Sequence, residues 1–192
     1  MKELKVPVGV SVRHIHLSQE DKEKLFGKGY TLTPRNSISQ SGEYACQEEV
    51  EVIGPRGRSL PLRVIGPETY TQVELSLTDA IYLGMDPPLR ESGDLAGTPG
   101  IQIKGPNGEV WLPQGVILAW RHLHTPPDIA RKLGLKNKQC VKVRLGQKRS
   151  LIFENVLIRI SENFTWEFHI DTDEANAARV KTGDMAFVVL ED

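Results

Sequence analysis

The sequence predicts a mostly β protein built as two related β-barrels capped by short α-helices, and three observations predict it. Glycine and proline recur as Gly54-Pro55, Gly66-Pro67, Pro87-Pro88, Pro99-Gly100 and Gly105-Pro106. Such pairs mark turns, because proline fixes φ and glycine permits positive φ. Short strand-like runs lie between them, and many short strands with close turns favour barrels or sandwiches over a parallel α/β sheet. One segment also repeats: Arg13-His14-Ile15-His16-Leu17-Ser18 returns as Arg121-His122-Leu123-His124-Thr125-Pro126. Each copy ends a strand-like run and feeds a capped short helix, so each barrel is expected to carry one His-x-His at a strand end.

In chain order, the clearest strands are expected over 48–53, 60–65, 100–103, 141–145, 156–160 and 186–190. Helices are fewer. Ser18, followed by Glu20 and Asp21, supplies a cap and an acidic first turn for a helix over 19–26. Thr125-Pro126-Pro127-Asp128 opens a second to about Leu133, which Gly134 can end. Asp171 or Thr172 can cap a third through Ala178.

Composition narrows the function. At 192 residues, with 39% hydrophobic and 26% charged, the chain reads as an ordinary globular protein. A net charge of −1 excludes nucleic-acid or membrane binding that rests on bulk electrostatics, while leaving room for a local basic pocket. The two cysteines, Cys46 and Cys140, form no CxxC pair and read as reduced core thiols. The first ten residues hold no long apolar stretch, and no run of 18 apolar residues occurs. A cytoplasmic location is expected.

The histidines carry the chemistry. Residues i and i+2 of a strand face one way, so His14 and His16 can present two imidazoles to one ion, as can His122 and His124. Neutral imidazole suits zinc and other first-row metals. Ile15 and Leu123 then point into the core. The fifth histidine, His169, is the candidate third ligand; two histidines plus one further side chain leave an open position, as catalysis needs. Carboxylates are too common for spacing to select one, and Glu74 by itself reads as a solvent-facing strand residue. Arg90-Glu91-Ser92-Gly93-Asp94 is either a functional loop around a phosphate-matching arginine or an ordinary polar turn. No glycine-rich phosphate loop, dinucleotide fingerprint or nucleophile elbow occurs.

Taken together, several stretches resemble the PduL-type phosphotransacylases, the phosphate propanoyltransferases. They are residues 10–18, Thr71-Gln72-Val73-Glu74, residues 90–100, Arg121-His122-Leu123-His124, and His169 through Ala177. They span nearly the whole chain in the family's order. The resemblance implies two interleaved barrels, 13–119 and 1–12 plus 120–192, with paired metals in a cleft between them. It implies that His14, His16 and Glu74 hold one zinc while His122, His124 and His169 hold the other. Ser11, Arg63 and Asn176 are similar to coenzyme A contacts, with Arg35 a further one. A homodimer is implied, and the N-terminal extension that directs some members into microcompartments looks absent.

One stretch departs from the family. Members read Gly-Pro-x-Arg-x-x-Thr-Gln-Val-Glu, with the arginine on phosphate, whereas this chain reads Gly66-Pro67-Glu68-Thr69-Tyr70-Thr71-Gln72-Val73-Glu74. Arg90 is the first choice to replace that arginine. The expected reaction is acyl-CoA + phosphate ⇌ acyl phosphate + CoA. Two other readings stand beside it: a zinc hydrolase of thioesters or phosphoesters, and a non-catalytic zinc module that binds coenzyme A.

Overall fold

The computed structural model describes residues 2–38, 40–146 and 148–190. Residue 1 and residues 191–192, the extremes of the expected second domain, lie outside them. The chain forms two compact units, one of Met1–Ser11, Ser39–Ser41 and Trp120–Asp192, the other of Val12–Ile38 and Gly42–Ala119.

Strand β1 (Lys2–Ser11) belongs to the first unit. The second unit follows with β2 (His14–His16), α1 (Gln19–Phe26), β3 (Pro34–Ser37), β4 (Tyr44–Ile53), β5 (Ser59–Gly66) and β6 (Gln72–Leu75). It continues through α2 (Leu77–Leu83), β7 (Leu89–Arg90), β8 (Ile101–Lys104), β9 (Glu109–Leu112) and β10 (Val116–Ala119). The chain then returns to the first unit with β11 (His122–Thr125), α3 (Pro127–Leu133), β12 (Cys140–Leu145) and β13 (Leu151–Ile160). The last elements are β14 (Glu167–Asp171), α4 (Thr172–Ala178) and β15 (Met185–Leu190).

In the first unit, β1-β14-β11-β13-β12-β15 closes into a six-stranded barrel. Closure leaves no unpaired edge. Its interior packs Val8, Leu123, Ile158, Phe168, Ile170 and Val188, all 2% exposed or less. In the second unit the order is β7-β10-β6-β2-β5-β4-β8-β9, with β3 added on β4. This is a half-barrel rather than a closed one, and its core includes Ile15, Leu17, Leu62, Val64 and Val73.

Local chemistry explains the helices. Ser18 accepts a hydrogen bond from the Asp21 N–H at the start of α1, and Pro127 stands at the first position of α3, where no donor is needed. Gly134 ends α3 in the left-handed conformation. Asp171 caps α4 and forms a reciprocal box with Glu174. Helix α2, which periodicity did not announce, is capped by Ser76 onto the Asp79 N–H. Its signal was the Ser-x-x-Asp spacing. No helix among the described residues is long and apolar enough to cross a membrane. Cys46 is buried as expected, but Cys140 is exposed and no core thiol, since it opens β12 on the outward-facing side of the alternation.

Candidate functional site

The two units build their histidine clusters in the same way. On β2, Ile15 enters the core fully buried, which turns His14 and His16 to the other face. Strand β6 runs antiparallel beside it and sets Glu74 opposite His14. On β11, Leu123 enters the barrel core, and antiparallel β14 sets His169 opposite His122. A parallel strand flanks each His-x-His on its other side, β5 in the half-barrel and β13 in the barrel. The third donor stands two residues before a helix cap in both cases, Glu74 before Ser76 and His169 before Asp171. Within each triad the ligand atoms lie within 4.8 Å of one another.

These donors fit a metal ion. Nitrogen and oxygen ligands at about 2.0–2.2 Å from a tetrahedral ion stand roughly 3.3–3.6 Å apart. His14 Nε2 is 3.5 Å from Glu74 Oε2, and His122 Nε2 is 3.0 Å from His124 Nε2. The tautomers suit ligation as well. His14 Nδ1 donates to the Val12 carbonyl at 2.8 Å, and His122 Nδ1 donates to the Trp120 carbonyl at 2.7 Å. A backbone acceptor two residues upstream thus fixes each ring and turns its Nε2 lone pair inward. His169 Nε2 is buried and makes no aligned hydrogen bond, and the carboxylate nearest to it, Glu167 Oε2, lies 2.8 Å away.

Burial keeps the imidazoles of His16, His122 and His124 neutral. Burial, reinforced by His14, depresses the His16 pKa to about 4 against the opposing pull of Glu74. Burial, then the neighbouring His169 and Arg159, lowers His122; burial, His169, His122 and Arg159 lower His124. Neutral rings are the metal-binding form. A stability prediction follows for protein stripped of metal. An unfolded chain's imidazoles take protons near pH 6.5, whereas these folded ones resist, so the unfolded state binds more protons as pH falls. Stability is therefore full above about pH 6.5 and is lost below it, by up to ~1.4 kcal/mol per pH unit for each histidine. The His16 contribution levels off near pH 4. Melting temperatures in chelator between pH 8 and pH 4 test this; a flat profile from pH 7 to pH 5 contradicts it.

The barrel also holds residues that sequence reasoning missed. Glu167 is buried, shares the face of His169 on β14, and places Oε2 2.8 Å from His169 Nε2. Gly9 of β1 makes room for it: a Cβ there would lie 2.8 Å from the Glu167 carboxylate carbon. Phe164 stacks on His124 with ring centroids 3.9 Å apart. The Glu-x-His spacing at 167 and 169 was the available signal.

In the half-barrel, Gln72 is the hub. It is fully buried, and its amide nitrogen donates to Glu74 Oε1 at 2.6 Å and to Ser92 Oγ at 2.9 Å. Its carbonyl oxygen accepts the Gly93 N–H at 2.7 Å. The Arg90–Asp94 loop is thereby tied to the Glu74 carboxylate. Arg90 itself keeps a buried Nε that makes no hydrogen bond, 3.6 Å from Asp94 Oδ2. Glu68 is paired with the buried Lys22 at 2.5 Å, and that hydrogen bond holds its carboxyl below the usual carboxylate range. Its charge is thus compensated within α1.

The remaining candidates are spread more widely. Arg63 sits in register with His14, but its guanidinium is held by the Cys46 and Gln47 carbonyls and by Glu49. Arg35 lies on the exposed strand β3. Ser11, at the end of β1, pairs in register with Asp171, and Asn176 is exposed on the α4 that Asp171 caps.

Comparison with known proteins adds to this geometry. A family profile described as phosphate propanoyltransferase matches residues 7–181. A phosphate propanoyltransferase of Thermotoga maritima is 54% identical, over 98% of this chain and 90% of that protein. One from Priestia megaterium is 48% identical over 96% and 86%, and one from Salmonella typhimurium 47% identical over 93% and 85%.

Proposed function

The chain belongs to the phosphate propanoyltransferase family and is an acyltransferase, and from that premise we propose that it interconverts short-chain acyl-CoA and phosphate with acyl phosphate and CoA, using two zinc ions. His14, His16 and Glu74 would hold one ion, and His122, His124 and His169 the other. The observation that carries the two-zinc reading is the repeated construction, a His-x-His strand with a third donor in register opposite its first histidine. Three protein ligands per ion leave a position open for substrate. Bound there, zinc supplies Lewis-acid polarisation of a thioester carbonyl and a soft partner for a thiolate.

The chain's own residues then do the following. Two backbone carbonyls hold His14 and His122 in the ligating tautomer. Gln72 keeps the Glu74 carboxylate from swinging away. A phosphate oxygen attacks the acyl carbon, the C–S bond breaks, and the sulfur leaves with the bonding electrons as thiolate. Phosphate is already an anionic nucleophile, so no general base is needed. Holding both reactants together removes an entropic barrier worth several kcal/mol.

Ser11, Arg63, Asn176 and Arg35 are proposed as coenzyme A contacts. For Arg63 this requires exchange of Glu49 for a substrate phosphate. Arg90 is proposed to meet the phosphate co-substrate, supported by its unsatisfied Nε. A homodimer in the cytoplasm completes the reading; free cysteines suit a reducing compartment, and light scattering tests the dimer.

The deciding experiment assays purified protein with acetyl-, propionyl- and butyryl-CoA, with and without phosphate. Acyl phosphate is expected only when phosphate is present. Phosphate-independent loss of the thioester contradicts the proposal and marks a hydrolase. In the same assay, Arg90→Ala is expected to raise the phosphate KM about tenfold or more, as loss of a charge-assisted contact does. An unchanged constant removes Arg90 from the site.

A further inference from the structure

Arg159 is a cation at the barrel's histidine cluster that the proposed reaction does not use. It lies on β13 in register with His124 on the adjacent parallel strand β11. Its neighbour Ile158 and the matching Leu123 are both fully buried in the barrel core. By alternation, Arg159 and His124 therefore share the opposite face, the one that carries the cluster. Phe164 links the two: its ring stacks on His124, and the Arg159 guanidinium carbon lies 5.4 Å from its centroid. A cation–π contact of this kind restrains the guanidinium and leaves its N–H groups able to donate.

Arg159 also lacks the partner that other arginines have. Arg13 pairs with Asp79, Arg63 with Glu49, and Arg121, next to the same cluster, with Glu174. Among the described residues, no carboxylate pairs with Arg159. A half-buried cation beside a set of metal donors is costly unless an anion joins it. Glu167 balances one positive charge there. With a divalent ion on three neutral imidazoles, the charge left over matches a phosphate dianion.

We propose that Arg159, restrained by its contact with Phe164, binds the inorganic phosphate co-substrate at the His122–His124–His169 cluster. This rests on the acyl-transfer reading of that cluster. Coenzyme A also carries phosphates, but its pantetheine arm separates them from the reacting sulfur. A guanidinium beside the metal donors is placed for the attacking phosphate instead.

The test is steady-state kinetics on the metal-loaded enzyme, with phosphate and propionyl-CoA varied in turn, on Arg159→Gln, Arg159→Lys and Phe164→Leu. Metal content is measured on each. Arg159→Gln is expected to raise the phosphate KM about ten- to a hundredfold, with the thioester KM and the two-ion content unchanged. Arg159→Lys, which keeps the charge but not the fork, and Phe164→Leu, which frees the guanidinium, should fall between. Added guanidinium chloride at millimolar concentration should partly restore Arg159→Gln. An unchanged phosphate KM overturns the proposal, as does loss of metal without a specific phosphate effect. A rise confined to the thioester KM overturns it in favour of a coenzyme A phosphate. Failure of the acyl-transfer reading shows separately, as wild-type turnover indifferent to phosphate.

Discussion

Replacing His122 or His14 with alanine is expected to remove one of two bound ions and to lower turnover by more than the roughly 10–100-fold that loss of a ligand's supporting partner costs. Each variant strips a donor from a different triad and leaves two, which bind an ion weakly. The fold should survive. Both side chains lie on the face away from the core, while Leu123 and Ile15, which anchor the same strands, are untouched. The hydrogen bond lost to the Val12 carbonyl is exposed, and the one lost to the Trp120 carbonyl is part-buried. Metal analysis by mass spectrometry should give close to one ion per chain for either variant and none for the pair. Circular dichroism and melting curves in chelator should match wild type. A variant that keeps both ions and near-normal turnover would falsify the ligand assignment for its own triad and leave the other standing.

Gln72→Leu should produce the second-largest effect, and in a different observable. Leucine fills nearly the same volume but makes none of the three hydrogen bonds to Glu74, Ser92 and Gly93. Glu74 then loses the donor that orients it, and affinity for the half-barrel ion should fall about 10–100-fold. The Gly93 N–H and the Ser92 hydroxyl lose their partner at part-buried sites, at a cost of about 0.5–1.5 kcal/mol. The Arg90 loop should loosen in hydrogen exchange at Gly93. Competition with a chromophoric chelator measures the affinity, and the barrel ion serves as an internal control. An affinity for the half-barrel ion unchanged from wild type would show that Glu74 needs no help from Gln72. Gln72→Glu should be worse than leucine, because a second carboxylate beside Glu74 adds repulsion.

Much of this molecule was legible in the chain. The His-x-His pairs could be read because strand alternation needs only neighbours two apart, and Ile15 and Leu123 do enter their cores. The helices over 19–26 and 127–133 were legible because caps and proline act within one turn. The Ser76-x-x-Asp79 cap of α2 was equally local and went unread.

The third ligand was another matter. With 25 acidic residues in the chain, spacing could not single out Glu74; its family resemblance named it, and the register of β6 against β2 sets it opposite His14. Phe164 and Arg159 had no such pointer, and Glu167 had only its place two residues before His169. Their places follow from β14 and β13 flanking β11, and from the gap over Gly9 that admits a carboxylate. The sequence by itself determined which residues share a face and where each helix begins, since those are contests among groups a few residues apart. Which faces meet, and at what register, was decided only by the tertiary structure. A one-residue slip would turn every buried side chain outward, so the packing of each whole sheet is what holds those partners together.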